Sequence, residues 1–233
     1  MIAEFTTKHA HVRIVNTLYH GHVLYMDGEI QLSTQDEARY HRMLVEPILG
    51  RLPPNQRVLI LGGGDGCAAR EALRFTDTVT VVDYDREFVE TVGKGIFANV
   101  NAHAFEKCRY VCQDALAYLR ENTDFDVVLF DLPDPDTLDM QTLYFQCMDV
   151  AKGKAVGAHL GPASLNPALP HWDFLHKFKE TYVYLVTQFK TSYIPSFSNV
   201  WAFGYFFPTL PFLPIVEPWA DLEFGGSLKN LFG

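Results

Sequence analysis

Arg57-Val58-Leu59-Ile60-Leu61-Gly62-Gly63-Gly64-Asp65-Gly66 reads as a buried strand that ends in three glycines, an acid and a fourth glycine. Glycines at such a place let the backbone come close to a ligand and leave the N-terminus of the following helix open. The acid is the unusual part. A loop built for phosphate does not set a carboxylate against an anion, so Asp65 predicts a ligand that is positively charged at this end. Gly62-x-Gly64-x-x-Cys67 is an incomplete dinucleotide fingerprint, because Cys67 stands where a third glycine is expected. About twenty residues on, the apolar run Thr78-Val79-Thr80-Val81-Val82 ends in Asp83, where an acid commonly binds a pair of ribose hydroxyls.

The same alternation continues on the C-terminal side. Strands are expected at 57–62, 78–83, 108–113, 125–131 and 154–160, and helices at 66–75, 85–95, 114–121, 140–150 and 170–180. Short apolar strands alternating with helices predict an α/β architecture, a mostly parallel sheet covered on both faces. Val183–Phe189 and Val200–Phe207 lie too close together for a helical crossover and predict an antiparallel edge. On the N-terminal side, residues 10–33 read as twisted β structure, with hairpin turns at Tyr19-His20-Gly21 and Met26-Asp27-Gly28. Ser33, Thr34 and Asp36 are candidate caps for a helix that runs from Asp36-Glu37 to Leu49, and Pro53-Pro54-Asn55 marks a boundary. The expected organisation is a small N-terminal β domain with its connecting helix over 1–50, a main domain over 51–207, and a tail over 208–233 rich in Pro, Phe and Gly. The tail is read as an arm on a neighbour or as disorder.

The 233 residues suit one large α/β domain with a small appendage, and 48% hydrophobic content supplies its core. A formal net charge of −9, with no basic cluster, argues against a nucleic-acid partner and for cationic ligands. No long apolar run and no signal-peptide pattern is present, which predicts a soluble, cytoplasmic protein without a membrane partner. Cys67, Cys108, Cys112 and Cys147 form no Cys-x-x-Cys pair and are read as reduced thiols rather than metal ligands. His9, His11, His20 and His22 lack a nearby carboxylate partner in the pattern and are assigned surface or packing roles; no metal is expected.

In a sheet of this kind ligands collect outside the carboxyl ends of the strands. Asp65, Asp83, Asp114, Asp131 and Asp134 all fall at or just beyond expected strand ends, which places them in one cleft. At this point several motifs in order become informative: Met26-Asp27-Gly28-Glu29-Ile30-Gln31, Asp36-Glu37-x-x-Tyr40-His41, Gly62 to Gly66, and Asp131-Leu132-Pro133-Asp134-Pro135. Together they resemble the polyamine aminopropyltransferases, the spermidine and thermospermine synthases, from about Leu24 to Phe206. The resemblance implies a Rossmann-like methyltransferase fold behind the N-terminal β domain and a homodimer. It implies decarboxylated S-adenosylmethionine as donor co-substrate, a polyamine as acceptor and no further cofactor. By position, Gln31, Gly62, Gly64, Asp83 and Asp114 would hold the methylthioadenosine part, with Asp83 on the ribose and Asp114 on the adenine. Tyr40, His41, Asp65 and Asp134 would surround the aminopropyl chain and the acceptor amine, and Asp131 would take the proton.

Asp-Leu-Pro-Asp-Pro at 131–135, Gly161-Pro162-Ala163, and Pro195-Ser196-Phe197 followed by Trp201 are more similar to thermospermine synthases, with Phe197 where other members carry Tyr. The chain departs from the family at Arg42, at His159 near a usual Gln, at Asp136-Thr137-Leu138, and in its short N-terminal β segment.

The implied reaction is an in-line displacement in which a neutral amine attacks the carbon beside a sulfonium. The protein must orient two cations against each other and remove one proton. Clustered carboxylates do both. Asp65 also separates this reading from its nearest competitor, a small-amine methyltransferase using intact S-adenosylmethionine. That ligand carries a carboxylate, and two like charges about 4 Å apart at an effective dielectric of about 20 cost about 4 kcal/mol. A non-catalytic polyamine-binding protein is the third reading.

Overall fold

The computed structural model describes residues 1–163, 170–182 and 185–208. The expected tail lies outside the described residues beyond Pro208, and so do the first two residues of the expected Val183–Phe189 strand.

The first strands, β1 (Ala3–Thr6), β2 (His11–Thr17), β3 (Gly21–Met26) and β4 (Glu29–Ser33), form an antiparallel meander in chain order. Its inner face carries Val12, Ile14, Leu24 and Leu32, which pack on Cys67, Phe88, Val89, Val92 and Phe97 of the larger domain. This alternation of apolar and polar residues is what a half-buried sheet requires.

The larger sheet holds β5 (Val58–Gly62), β6 (Val79–Val82), β7 (Arg109–Val111), β8 (Val127–Asp131), β9 (Ala155–Pro162), β10 (Val186–Ile194) and β11 (Asn199–Phe207) in the order β10-β11-β9-β8-β5-β6-β7. Strands β5 to β9 are mutually parallel, and β11 and β10 add an antiparallel edge. The chain thus has a Rossmann-like methyltransferase fold with a separate N-terminal sheet. Val58–Leu61 and Val127–Phe130 have no exposed surface, because helices cover both faces of the sheet.

The helices are α1 (Glu37–Leu49), α2 (Cys67–Ala72), α3 (Arg86–Phe88, running on as a π-helix over Val89–Ile96), α4 (Ala115–Glu121), α5 (Leu138–Val150) and α6 (Pro170–Thr181). Helix α1, grouped by sequence with the N-terminal segment, packs Leu44, Val45, Ile48 and Leu49 into the core of the larger sheet. Pro47 removes one helical N–H. The carbonyl it would have bonded, that of Met43, accepts the Tyr205 hydroxyl instead. This ties α1 to β11.

Several elements differ from expectation: β1 (Ala3–Thr6) precedes the β structure expected over 10–33, β10 runs on to Ile194, and two further differences have a visible cause. The helix expected at 85–95 is mostly a π-helix. The Phe97 N–H bonds the Val92 carbonyl five residues back, at 2.8 Å, and Gly93 touches the glycine loop, where an ordinary side chain would not fit. The strand expected at 108–113 is only Arg109–Val111, because the Cys108 N–H closes a turn on Ala104 at 3.0 Å.

Candidate active site

The carboxyl ends of β5, β6 and β8, the start of α4, one face of α1 and the turn between β1 and β2 enclose one cavity. Its wall holds all ten residues expected at the site: Gln31, Tyr40, His41, Gly62, Gly64, Asp65, Asp83, Asp114, Asp131 and Asp134. Six aspartates line it once Asp85 is counted, and among the described residues no lysine or arginine does.

The glycines do more than admit a ligand. A Cβ on Gly62, which has φ +78°, would stand 2.1 Å from the Asp131 carbonyl oxygen, and one on Gly64 would stand 2.7 Å from Asp83 Oδ2. They let the end of β5 lie directly against the two neighbouring acids. The Gly64 N–H donates to Asp83 Oδ2 at 3.1 Å and the Asp85 N–H donates to Asp83 Oδ1 at 2.9 Å. Burial still wins over these bonds and lifts Asp83 to about 6. Asp114 is the N-cap of α4, accepting the Ala117 N–H at 2.8 Å, and it faces the cavity from an exposed position. Gln31 is also exposed, at the rim on β4.

His41 organises the acidic end. Its Nδ1 lies 2.8 Å from the Glu37 carbonyl and 3.0 Å from Glu37 Oε2, while its Nε2 stands 4.0 Å from both Asp65 Oδ2 and Asp131 Oδ2. Burial alone would lower the His41 pKa; the Glu37 hydrogen bond and the charges of Asp65 and Asp131 outweigh it and hold it at about 9. At neutral pH the ring is a cation facing Glu37, Asp65 and Asp131. Glu37 is buried, yet His41 and a two-pronged Arg70 (2.7 and 2.9 Å) pull it down to about 2. Glu37, His41 and Cys67 bring one potential metal-ligand atom each within 4.8 Å of one another. The Arg70 guanidinium already occupies both Glu37 oxygens, and burial holds the Cys67 thiol protonated.

Asp131 ends β8 with 9% of its side chain exposed. Burial lifts it to about 7; His41 and the Tyr40 phenol work against that lift, and Asp65 and Asp83 add to it. Asp134, three residues on, is partly open to solvent and is also raised to about 7, by burial and then by Asp136 and Glu29.

Behind these acids stands an aromatic wall. Tyr40 packs edge-on against Phe203, Trp201 and Phe197, with centroids 5.4, 6.0 and 6.1 Å apart. His159, a family departure, lies deep in this wall. Its Nε2 is 2.5 Å from the Leu132 carbonyl and 2.8 Å from the Tyr144 hydroxyl, so it holds the backbone between the two acids, while its Nδ1 faces Asp134 at 3.8 Å. Arg42, the other side-chain departure, points away from the cavity to within 3.7 Å of Glu71.

Two residues at or beside the cavity hold places that the sequence did not indicate. His9, given a surface or packing role, lines the cavity and meets Tyr84 edge-on at 4.5 Å. Its turn is fastened by Thr7, whose hydroxyl donates to Asp85 at 2.5 Å. Asp36, read as a helix cap, makes no capping bond; its carboxylate accepts the Ser196 N–H at 2.7 Å and hydroxyl at 2.8 Å, and so seats Phe197. Asp36 stands in the motif Asp36-Glu37-x-x-Tyr40-His41, but nothing there points to Ser196; for His9 only the residue type could have hinted.

Residues 37–209 match the family model described as the spermine/spermidine synthase domain. A polyamine aminopropyltransferase of Oceanobacillus iheyensis is 41% identical over 127 residues, covering 52% of this chain and 25% of that protein. Thermospermine synthase ACAULIS5 of Arabidopsis thaliana is 31% identical over 217 residues, covering 86% of this chain and 62% of that protein. The chain thus spans less than two thirds of the length of these relatives. The crystal structure of a spermidine synthase from Thermotoga maritima superposes with a TM-score of 0.73 at 22% identity, covering 88% of this chain and 72% of that one. No helix among the described residues is long and apolar enough to cross a membrane.

Proposed function

Because the chain belongs to the spermine/spermidine synthase domain family, we propose that it transfers an aminopropyl group from decarboxylated S-adenosylmethionine to a polyamine amine, releasing methylthioadenosine. The observation that carries this reading is the convergence of six aspartates, with no lysine or arginine, on one cavity. Such a site suits two cationic reactants, because it offsets the repulsion between sulfonium and polyamine. In this reading Asp83 takes the ribose hydroxyls, with Asp114 and Gln31 further along the adenosine. Asp65 holds the donor amine.

Asp131 and Asp134 receive the acceptor, and Asp131 is the base. An ordinary Asp near pKa 3.9 is weak against an amine near 10.4. A carboxylate lifted to about 7 narrows that gap. It accepts the proton as the nitrogen becomes cationic in the transition state, help that typically gives about 10²–10⁴-fold. The displacement needs no redox step, and the donor arrives already activated. Phe197 in the wall, where a phenol is missing, and the 31% identity to a thermospermine synthase over most of the chain support spermidine as acceptor over putrescine.

The test is incubation with decarboxylated or intact donor and a panel of diamines and triamines, followed by mass analysis. The expected product is one aminopropyl unit heavier. Methyl gain without aminopropyl gain would establish the methyltransferase instead. Ligand-dependent thermal stabilisation with no product would establish a binding protein.

A further inference from the structure

Asn101 follows the π-helix and has no exposed surface. Its amide nitrogen donates to the carbonyl of Asp65 at 2.7 Å and to that of Gly93 at 2.6 Å, and its Oδ1 accepts the Ala104 N–H at 3.3 Å. Two carbonyl oxygens cannot donate, so both amide hydrogens of Asn101 face them and its donor capacity is filled.

The π-helix makes this possible. In an α-helix the Phe97 N–H would bond the Gly93 carbonyl; here it bonds Val92 instead, at 2.8 Å, and leaves Gly93 for Asn101. The helix also lies against the glycine loop, since a Cβ on Gly93 would stand 2.2 Å from the Gly64 carbonyl oxygen. The next link is Val100, whose carbonyl accepts Arg70 at 2.7 Å; Arg70 holds Glu37, and Glu37 holds His41. Asp65 is fixed at its side chain too, where Oδ1 accepts the Cys67 N–H at 2.7 Å. With that rotamer pinned, the position of Oδ2 follows from where Asn101 holds the backbone.

We propose that Asn101 is a positioning residue for Asp65, setting from behind the glycine loop the carboxylate that selects the donor. The selective role of Asp65 rests on the function proposed above; the anchoring of the loop does not.

The test compares Asn101→Ala with Leu49→Ala, a buried change at the far end of α1 that serves as a control for lost stability. Hydrogen exchange of the 62–70 backbone is read below the melting temperature of both, together with the kcat/KM ratio for decarboxylated over intact donor. We expect exchange in 62–70 to quicken at least tenfold and the donor ratio to fall at least tenfold in Asn101→Ala alone. Asn101→Ser, which keeps one donor, should lie between; it stands in if the alanine variant does not fold. Equal behaviour of the Asn101 and Leu49 variants, or unchanged exchange in both Asn101 variants, overturns the proposal. If the wild type transfers no aminopropyl group, the function fails while the exchange comparison still decides whether Asn101 anchors the loop.

Discussion

Asp131 joins burial to chemistry at one side chain. The end of β8 carries it into the wall of the cavity, where loss of solvent makes its proton harder to lose. Asp131→Asn keeps the shape and removes the proposed base. We expect kcat to fall by about 10²–10⁴ with methylthioadenosine affinity unchanged, as read by steady-state kinetics and calorimetry. Retention of most of kcat would exclude Asp131 as the base. The acids were legible in the sequence because each follows an apolar run, and strand ends in a parallel sheet share one edge. Asp36 and His9 were not. Asp36 acts on Ser196, 160 residues away, and His9 meets Tyr84 only once the N-terminal sheet has docked. Neither contact leaves a local pattern.

At the scale of elements, α1 and α2 meet through Glu37 and Arg70 rather than through apolar packing alone. Arg70→Met leaves a buried carboxylate with His41 as its remaining cation. The expected loss is about 3 kcal/mol, at the low end for breaking a buried pair because Arg70 is partly exposed. For a domain of this size that lowers the melting temperature by about 6–12 °C, measurable by calorimetry. A fall of one degree or less would show that the pair adds little to the fold. The buried strands of the sheet announced themselves as apolar runs, and the antiparallel edge followed from a connection too short to cross over. The π-helix did not. It sets Gly93 against Gly64, about thirty residues back along the chain, and helical periodicity carries no trace of that contact.

For the whole molecule, the acids proposed to serve the reaction weigh against the fold. Asp131 and Asp134 sit near 7, above the value of an unfolded Asp. Between about pH 4 and 7 the native state therefore holds more protons than the unfolded chain, and stability falls as pH rises. His41 acts in the same direction: its contribution is full below 6.5 and is lost as pH rises through about 9. Glu37 is opposite, contributing above its unfolded value and losing that contribution only as pH falls through about 2. The melting temperature of the unliganded protein should thus drop from pH 5 to pH 8, and drop less in Asp131→Asn. A midpoint that rises over that interval contradicts the assignment. Activity runs the other way, with kcat/KM climbing through about pH 7 as Asp131 ionises. The charge balance of −9 was visible in the sequence from the start. Its concentration on one cavity was legible only through the expected sheet. The most direct test is the ratio of dissociation constants for decarboxylated and intact S-adenosylmethionine, measured on the wild-type protein by titration calorimetry. A carboxylate brought beside Asp65 predicts tighter binding of the decarboxylated donor, by up to about a thousandfold; equal affinity, or tighter binding of the intact molecule, would contradict a cavity built for positive charge.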